Sequence, residues 1–178
     1  MVPLQDFCFA LFSIIYIYFL SMMAFPPTLQ PHSRVIENTK TFRCYFYTSA
    51  LIGLVFPFLY IVDGILTGDR AGIKDAAPHL FLLSCQVLME RFSFHRGFSS
   101  PVIAFVPVFY NSRRIFTLID WLKAEIRREE GSSRRLFMGR ALAVINMGFW
   151  SYNLFCFLIP VYVPRIMKKY YAVARANS

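Results

Sequence analysis

Pro78-His79-Leu80-Phe81-Leu82-Leu83-Ser84-Cys85-Gln86-Val87-Leu88-Met89-Glu90 opens the stretch on which the fold turns. Ser100-Pro101-Val102-Ile103-Ala104-Phe105-Val106-Pro107-Val108-Phe109-Tyr110 follows, and Asn111-Ser112-Arg113-Arg114 begins a basic segment that continues to Glu130. Glu90-Arg91 cut the first run short, and the second is equally short and holds two prolines. Neither alone matches the roughly 20 apolar residues of a regular helical crossing. Together they predict one interrupted crossing over 78–112, or a tight re-entrant pair. Other protein segments must then shield the irregular backbone, because lipid offers it no hydrogen bonds.

The basic segment has the helical period. Ile115, Leu118, Ile119, Leu122 and Ile126 share one face at 100° per residue, while Arg113, Thr117, Asp120, Lys123, Arg127 and Arg128 take the other. Phe116 and Trp121 border the stripe, and Glu125 and Arg128 form an i, i+3 pair. The pattern describes a basic amphipathic helix over 113–128 lying along a membrane surface, with Arg113, Arg114, Trp121, Lys123, Arg127 and Arg128 at the lipid headgroups. The same stripe also suits packing on the protein's own spans.

Working outward, 7–25 is uncharged and ends at Pro26-Pro27, which reads as a membrane anchor. A second apolar segment covers 44–66, with Pro57 as an expected kink. The last covers 141–163, either crossing or dipping in as a hairpin, and a basic tail follows over 165–178. Counting Lys and Arg in the loops favours four traverses over five. The expectation is one all-α, polytopic domain over 1–178, with about four transmembrane or re-entrant segments and the interfacial helix.

Composition agrees. Of 178 residues 57% are hydrophobic and only 16% charged, against roughly 45–50% and about 25% in soluble domains. Such an excess finds cover in lipid rather than in a core of this size. The net charge of +9 sits between and just after the apolar runs, which points to anionic lipid headgroups as partners and not to nucleic acid. Other membrane proteins, or a second copy, remain open as further partners. The four cysteines form no C-x-x-C pair and read as small buried hydrophobes. Enzyme fingerprints and metal-ligand spacings are absent, so neither catalysis nor a cofactor is expected.

One constellation could carry chemistry. His79, Gln86 and Glu90 share a helix face, and Asn146 and Asn153, spaced by seven, could face them from the last segment. An ionisable group at membrane depth is by default a functional candidate, with interhelical hydrogen bonding as the plain alternative.

Three pieces carry a resemblance: Asp6-Phe7 with Ala24-Phe25-Pro26-Pro27; His79 through Gln86; and Val106-Pro107-Val108-Phe109-Tyr110-Asn111-Ser112-Arg113-Arg114 with Asp120-Trp121. On these the chain resembles a family of small multi-pass membrane proteins encoded in plant genomes. The resemblance implies a multi-pass fold and no residue roles, since that family has no established activity. In order of segments only, the chain is also similar to endoplasmic reticulum and nuclear-envelope proteins that shape tubules with reticulons. The expected function is a non-enzymatic scaffold or membrane-shaping component of the endomembrane system, with the endoplasmic reticulum as its location. The alternative is a small transporter or channel subunit built round Glu90.

Overall fold

The computed structural model describes residues 2–25 and 40–176, and among them there are helices and short connections but no strand. Five rods form an antiparallel bundle. α1 is Leu4–Met23, α3 is Arg70–His95 and α4 is Ser100–Arg127. α2 covers 40–67 as Lys40–Ala50, a π-helical turn over Leu51–Val55, and Phe56–Thr67. α5 covers 133–176 as Ser133–Tyr152, a π-helical stretch over Asn153–Tyr162, and Val163–Ala176.

Local chemistry sets the corners. Gly68 ends α2 at φ 75, and the Asp69 carboxylate then caps α3 by accepting from the Gly72 N–H at 3.0 Å. Ser132 caps α5 through the Arg135 N–H. Pro101 stands in the first turn of α4, where no backbone donor is needed.

Four of the rods contain stretches long and apolar enough to cross a membrane: Leu4–Met23, Arg43–Thr67, Ser100–Arg127 and Ser133–Arg175. Their outer faces are apolar. Leu11, Ile15 and Phe19 of α1 are exposed while Asp6, Ser13 and Ser21 are buried. Cys8, Cys44 and Cys156 are exposed too, so only Cys85, half-buried, approaches the expected interior placement.

Two apolar clusters fill the bundle. One joins α1, α3 and α4 through Ile17, Leu82, Met89, Val102 and Tyr110. The other joins α2 to α5 through Tyr60, Leu83, Leu118, Trp121 and Trp150.

Several sequence expectations are corrected. The interrupted crossing over 78–112 is two separate helices. α3 absorbs Pro78 and runs on through Glu90-Arg91, and the chain reverses at Gly97, φ 68, into α4. The segment 113–128 is no separate surface helix but the second half of α4, because one lost bond at Pro107 does not break a rod packed along its length. The bundle has five antiparallel rods, of which four are long and apolar enough to cross a membrane, as expected, but Ser100–Arg127 stands among them in place of the interrupted 78–112. Asp6 lies beside Arg113, Phe25 beside Ser99 and Tyr170, and Asp69 beside Arg128 and Arg135. The end of the expected anchor at Pro26-Pro27 lies outside the described residues.

Candidate functional site

α4 supplies the line of side chains on which the interior is built. Asn111, Arg114, Leu118, Trp121 and Glu125 are all buried, whereas Phe116 and Ile126 face out. The buried line is rotated by roughly a quarter turn from the apolar stripe, at 100° per residue. The interior line mixes Leu118 and Trp121 with Asn111, Arg114 and Glu125, while Asp120, Lys123 and Arg127 stand on the exposed side with Phe116 and Ile126.

At mid-bundle, Gln86 donates to Glu90 Oε1 at 2.7 Å, and Arg114 Nη2 donates to Gln86 Oε1. The guanidinium lies 4.2 Å above the Trp150 ring. Asn111 Nδ2 donates to the Trp150 carbonyl at 3.3 Å. His79 stands one layer away, its ring 6.0 Å from that of Trp121 and 6.3 Å from that of Trp150. Its Nε2 donates to the Gly53 carbonyl at 2.9 Å. That carbonyl belongs to the π turn, and Pro57, four residues on, has no N–H to offer it. The histidine replaces a donor that the proline removed.

Of the five residues expected to cluster, the structure joins Gln86 to Glu90 and sets His79 on the same buried face of α3. Asn146 and Asn153 do not turn to Glu90. Asn146 bonds the Leu142 carbonyl and accepts from Trp150 Nε1, and Asn153 accepts from the Tyr45 hydroxyl.

Of the six expected headgroup contacts, Lys123 and Arg127 are exposed. Arg114 and Trp121 are interior and touch no surface, because they lie on the inward side of α4. Arg113 turns to Asp6 at 2.8 Å, and Arg128 is tied to Asp69.

A second polar network closes the end of the bundle where α2 meets α3. Arg135 reaches Asp69 Oδ2 at 2.8 Å, Asp63 Oδ2 at 3.1 Å and the Tyr60 carbonyl at 2.8 Å, while stacking 3.7 Å over the Tyr60 ring. Arg134 meets the other Asp63 oxygen. Glu125 Oε1 accepts from the Tyr60 hydroxyl at 2.9 Å and Trp121 Nε1 at 3.3 Å. Arg140 caps α4 by donating to the Glu125 and Arg128 carbonyls. Burial raises the Asp69 carboxyl, but the Gly72 N–H and the Arg128 and Arg135 guanidiniums outweigh it and hold it below the usual carboxylate range. A cleft of about 810 Å³ opens here between the 68–69 turn and the 128–132 loop.

Apart from the local Trp121–Glu125 and Glu125–Arg128 pairs, this network was not visible from the sequence, since its pairings join positions far apart in the chain. Arg114 had a readable signal. It shares a helix face with Asn111, Leu118, Trp121 and Glu125, the line that turns inward.

No curated protein and no solved structure matches this chain. A family model described as a domain of unknown function, DUF7733, matches residues 1–171, and the chain belongs to that family.

Proposed function

We propose that this is an integral membrane protein of the endomembrane system, resident in the endoplasmic reticulum, that acts without catalysis as a scaffold or membrane-shaping component. Unequal charge at the two ends of the bundle carries the reading. Where α2 meets α3, Asp63, Asp69 and Glu125 lie among the arginines and pair with several of them. At the opposite end Arg43, Arg91, Arg96, Arg165 and Lys168 gather, with Glu90 the sole acid there among the described residues. A net basic end attracts anionic headgroups by about 1 kcal/mol per basic residue near the surface. Val163–Ala176 adds an amphipathic face, with Arg165 and Lys168 exposed and Ile166 buried. It takes over the surface role expected of 113–128.

A tagged copy is expected to follow reticulum tubules, and R165Q/K168Q is expected to weaken its effect on their shape. Diffuse plasma-membrane signal, with tubules and sheets unchanged on overexpression and deletion, would sink the proposal.

A transporter or channel subunit is the second reading, favoured by the wholly buried Arg114 and its Gln86–Glu90 chain. Glu90→Gln in reconstituted liposomes is expected to abolish an ion-dependent flux. Purified protein that supports no flux leaves this reading without support.

A further inference from the structure

The cleft of about 810 Å³ at the α2–α3 end of the bundle is lined by charges of both signs. Two of its arginines are already engaged, for Arg128 and Arg135 pair with Asp69. Arg70, Arg127, Glu129 and Glu130 also line it; all four are exposed, and none forms an ion pair among the described residues. Helix ends of both polarities meet at the same place. α3 begins at Arg70 and α5 at Ser133, whereas α2 finishes at Thr67 and α4 at Arg127. Helix beginnings carry partial positive charge and helix ends partial negative charge. A bare anion here would meet two carboxylates, and a bare cation two guanidiniums. A ligand bearing both charges complements the cleft.

The place of the cleft in the fold narrows the class. Arg43–Thr67 and Ser100–Arg127, both apolar enough to cross a membrane, end in its lining, and Ser133–Arg175 starts beside Ser132. Leu66 and Ile126, next in sequence to Thr67 and Arg127, are 81% and 63% exposed. In the membrane proposed above, the cleft then stands where crossing helices leave the hydrocarbon, with apolar surface adjoining. That is the level of a phospholipid headgroup.

We propose that the cleft seats the phosphoethanolamine headgroup of an aminophospholipid, its phosphate on Arg70 and Arg127 and its ammonium between Glu129 and Glu130. The primary ammonium donates hydrogen bonds that the carboxylates accept. A choline headgroup carries the same charges without those donors, and quaternary ammonium groups are recognised by aromatic faces, none of which lines this cleft. A serine headgroup adds a carboxylate that the two glutamates repel. The inference rests on the membrane reading and goes beyond it, since the anionic-lipid contacts proposed there lie at the opposite end of the bundle.

Purified full-length protein in micelles of an uncharged detergent is mixed with equimolar dioleoyl phosphatidylethanolamine and dioleoyl phosphatidylcholine, and the lipid retained is counted by native mass spectrometry. The wild type should retain the ethanolamine lipid over the choline lipid by about fivefold. R70Q/R127Q should lower retention of the ethanolamine lipid by a similar factor, and E129Q/E130Q should bring the ratio to about one. All four positions are exposed, so these variants fold, and an unchanged unfolding temperature verifies it. Lys74→Gln, one turn further along α3 and outside the lining, should keep the preference. Free phosphoethanolamine at the lipid's concentration should displace little of it, because it lacks the acyl chains.

Equal retention of the two lipids by the wild type overturns the proposal, as does a preference that survives E129Q/E130Q or falls equally in Lys74→Gln. Displacement by free phosphoethanolamine as complete as by the lipid itself would mark a site for the soluble headgroup and overturn the lipid assignment. Protein that stays dispersed without detergent sinks the membrane reading and this inference together. Protein that needs detergent yet shows no lipid preference sinks this inference alone.

Discussion

Gly139 marks a close approach of α5 to α4, for a Cβ there would stand 2.5 Å from the Glu125 carboxylate. Gly139→Ala must therefore push Glu125 off Tyr60 and Trp121. We expect a loss of about 1–3 kcal/mol, seen as a lower unfolding temperature in detergent. Asp69 makes a pH prediction. Its folded pKa lies below the ordinary 3.8, so its stabilisation is complete above that value and is lost as pH falls through the lower folded one. Unfolding temperature should hold down to about pH 5 and drop below about pH 4, and Asp69→Asn should blunt that drop. These residues were illegible in the sequence for a plain reason. Asp69 and Arg135 look like two solvated loop charges until the fold brings them to 2.8 Å.

Among the elements, α4 teaches most about what periodicity can and cannot say. The apolar stripe correctly marked 113–128 as helical, and of its two readings, a membrane surface or the protein's own spans, Leu118, Ile115 and Leu122 follow the second. In this bundle Leu118 and Trp121 turn in together with Arg114 and Glu125, while Phe116 and Ile126 turn out beside Asp120, Lys123 and Arg127. Leu118→Ala, on the buried line, should cost about 2–5 kcal/mol in detergent unfolding, and Phe116→Ala under about 1 kcal/mol. α2 makes a sharper case. Pro57 leaves the Gly53 carbonyl without its helical donor, and His79 supplies one. Pro57→Ala restores the N–H, so His79→Ala should cost less on that background than in the wild type. A double-mutant cycle should show coupling of about 0.6–1.7 kcal/mol, and strict additivity would show that the two features are unrelated.

For the whole molecule, the helical class and the four apolar stretches were legible because composition and length alone declare them. The number of rods was not. Glu90 and Arg91 were read as cutting an apolar run short, yet they sit within α3, where Glu90 is bonded to Gln86. The loop-charge count favoured four traverses, and four of the five rods are long and apolar enough to cross. In the membrane proposed above, five rods put the chain's two ends on opposite sides, so protease added to one side of sealed vesicles should remove a tag from one end only. Removal of both tags would contradict the antiparallel bundle.

The modest hydropathy of α3 has a consequence for how the protein is made. Arg70, Lys74, Asp75, Glu90 and Arg91 dilute this helix, and it is the rod missing from the four apolar candidates. During synthesis it leaves the ribosome before α4, whose Arg114 meets Gln86 and whose Val102 and Val106 close over Leu82 and Met89. Alone it has no shelter in lipid; paired with α4 it does. Nascent chains halted after residue 99 should leave α3 extractable at the membrane face, and chains extended past 127 should draw it in with its neighbour. Delivery of α4 is then the committing step in the birth of the bundle.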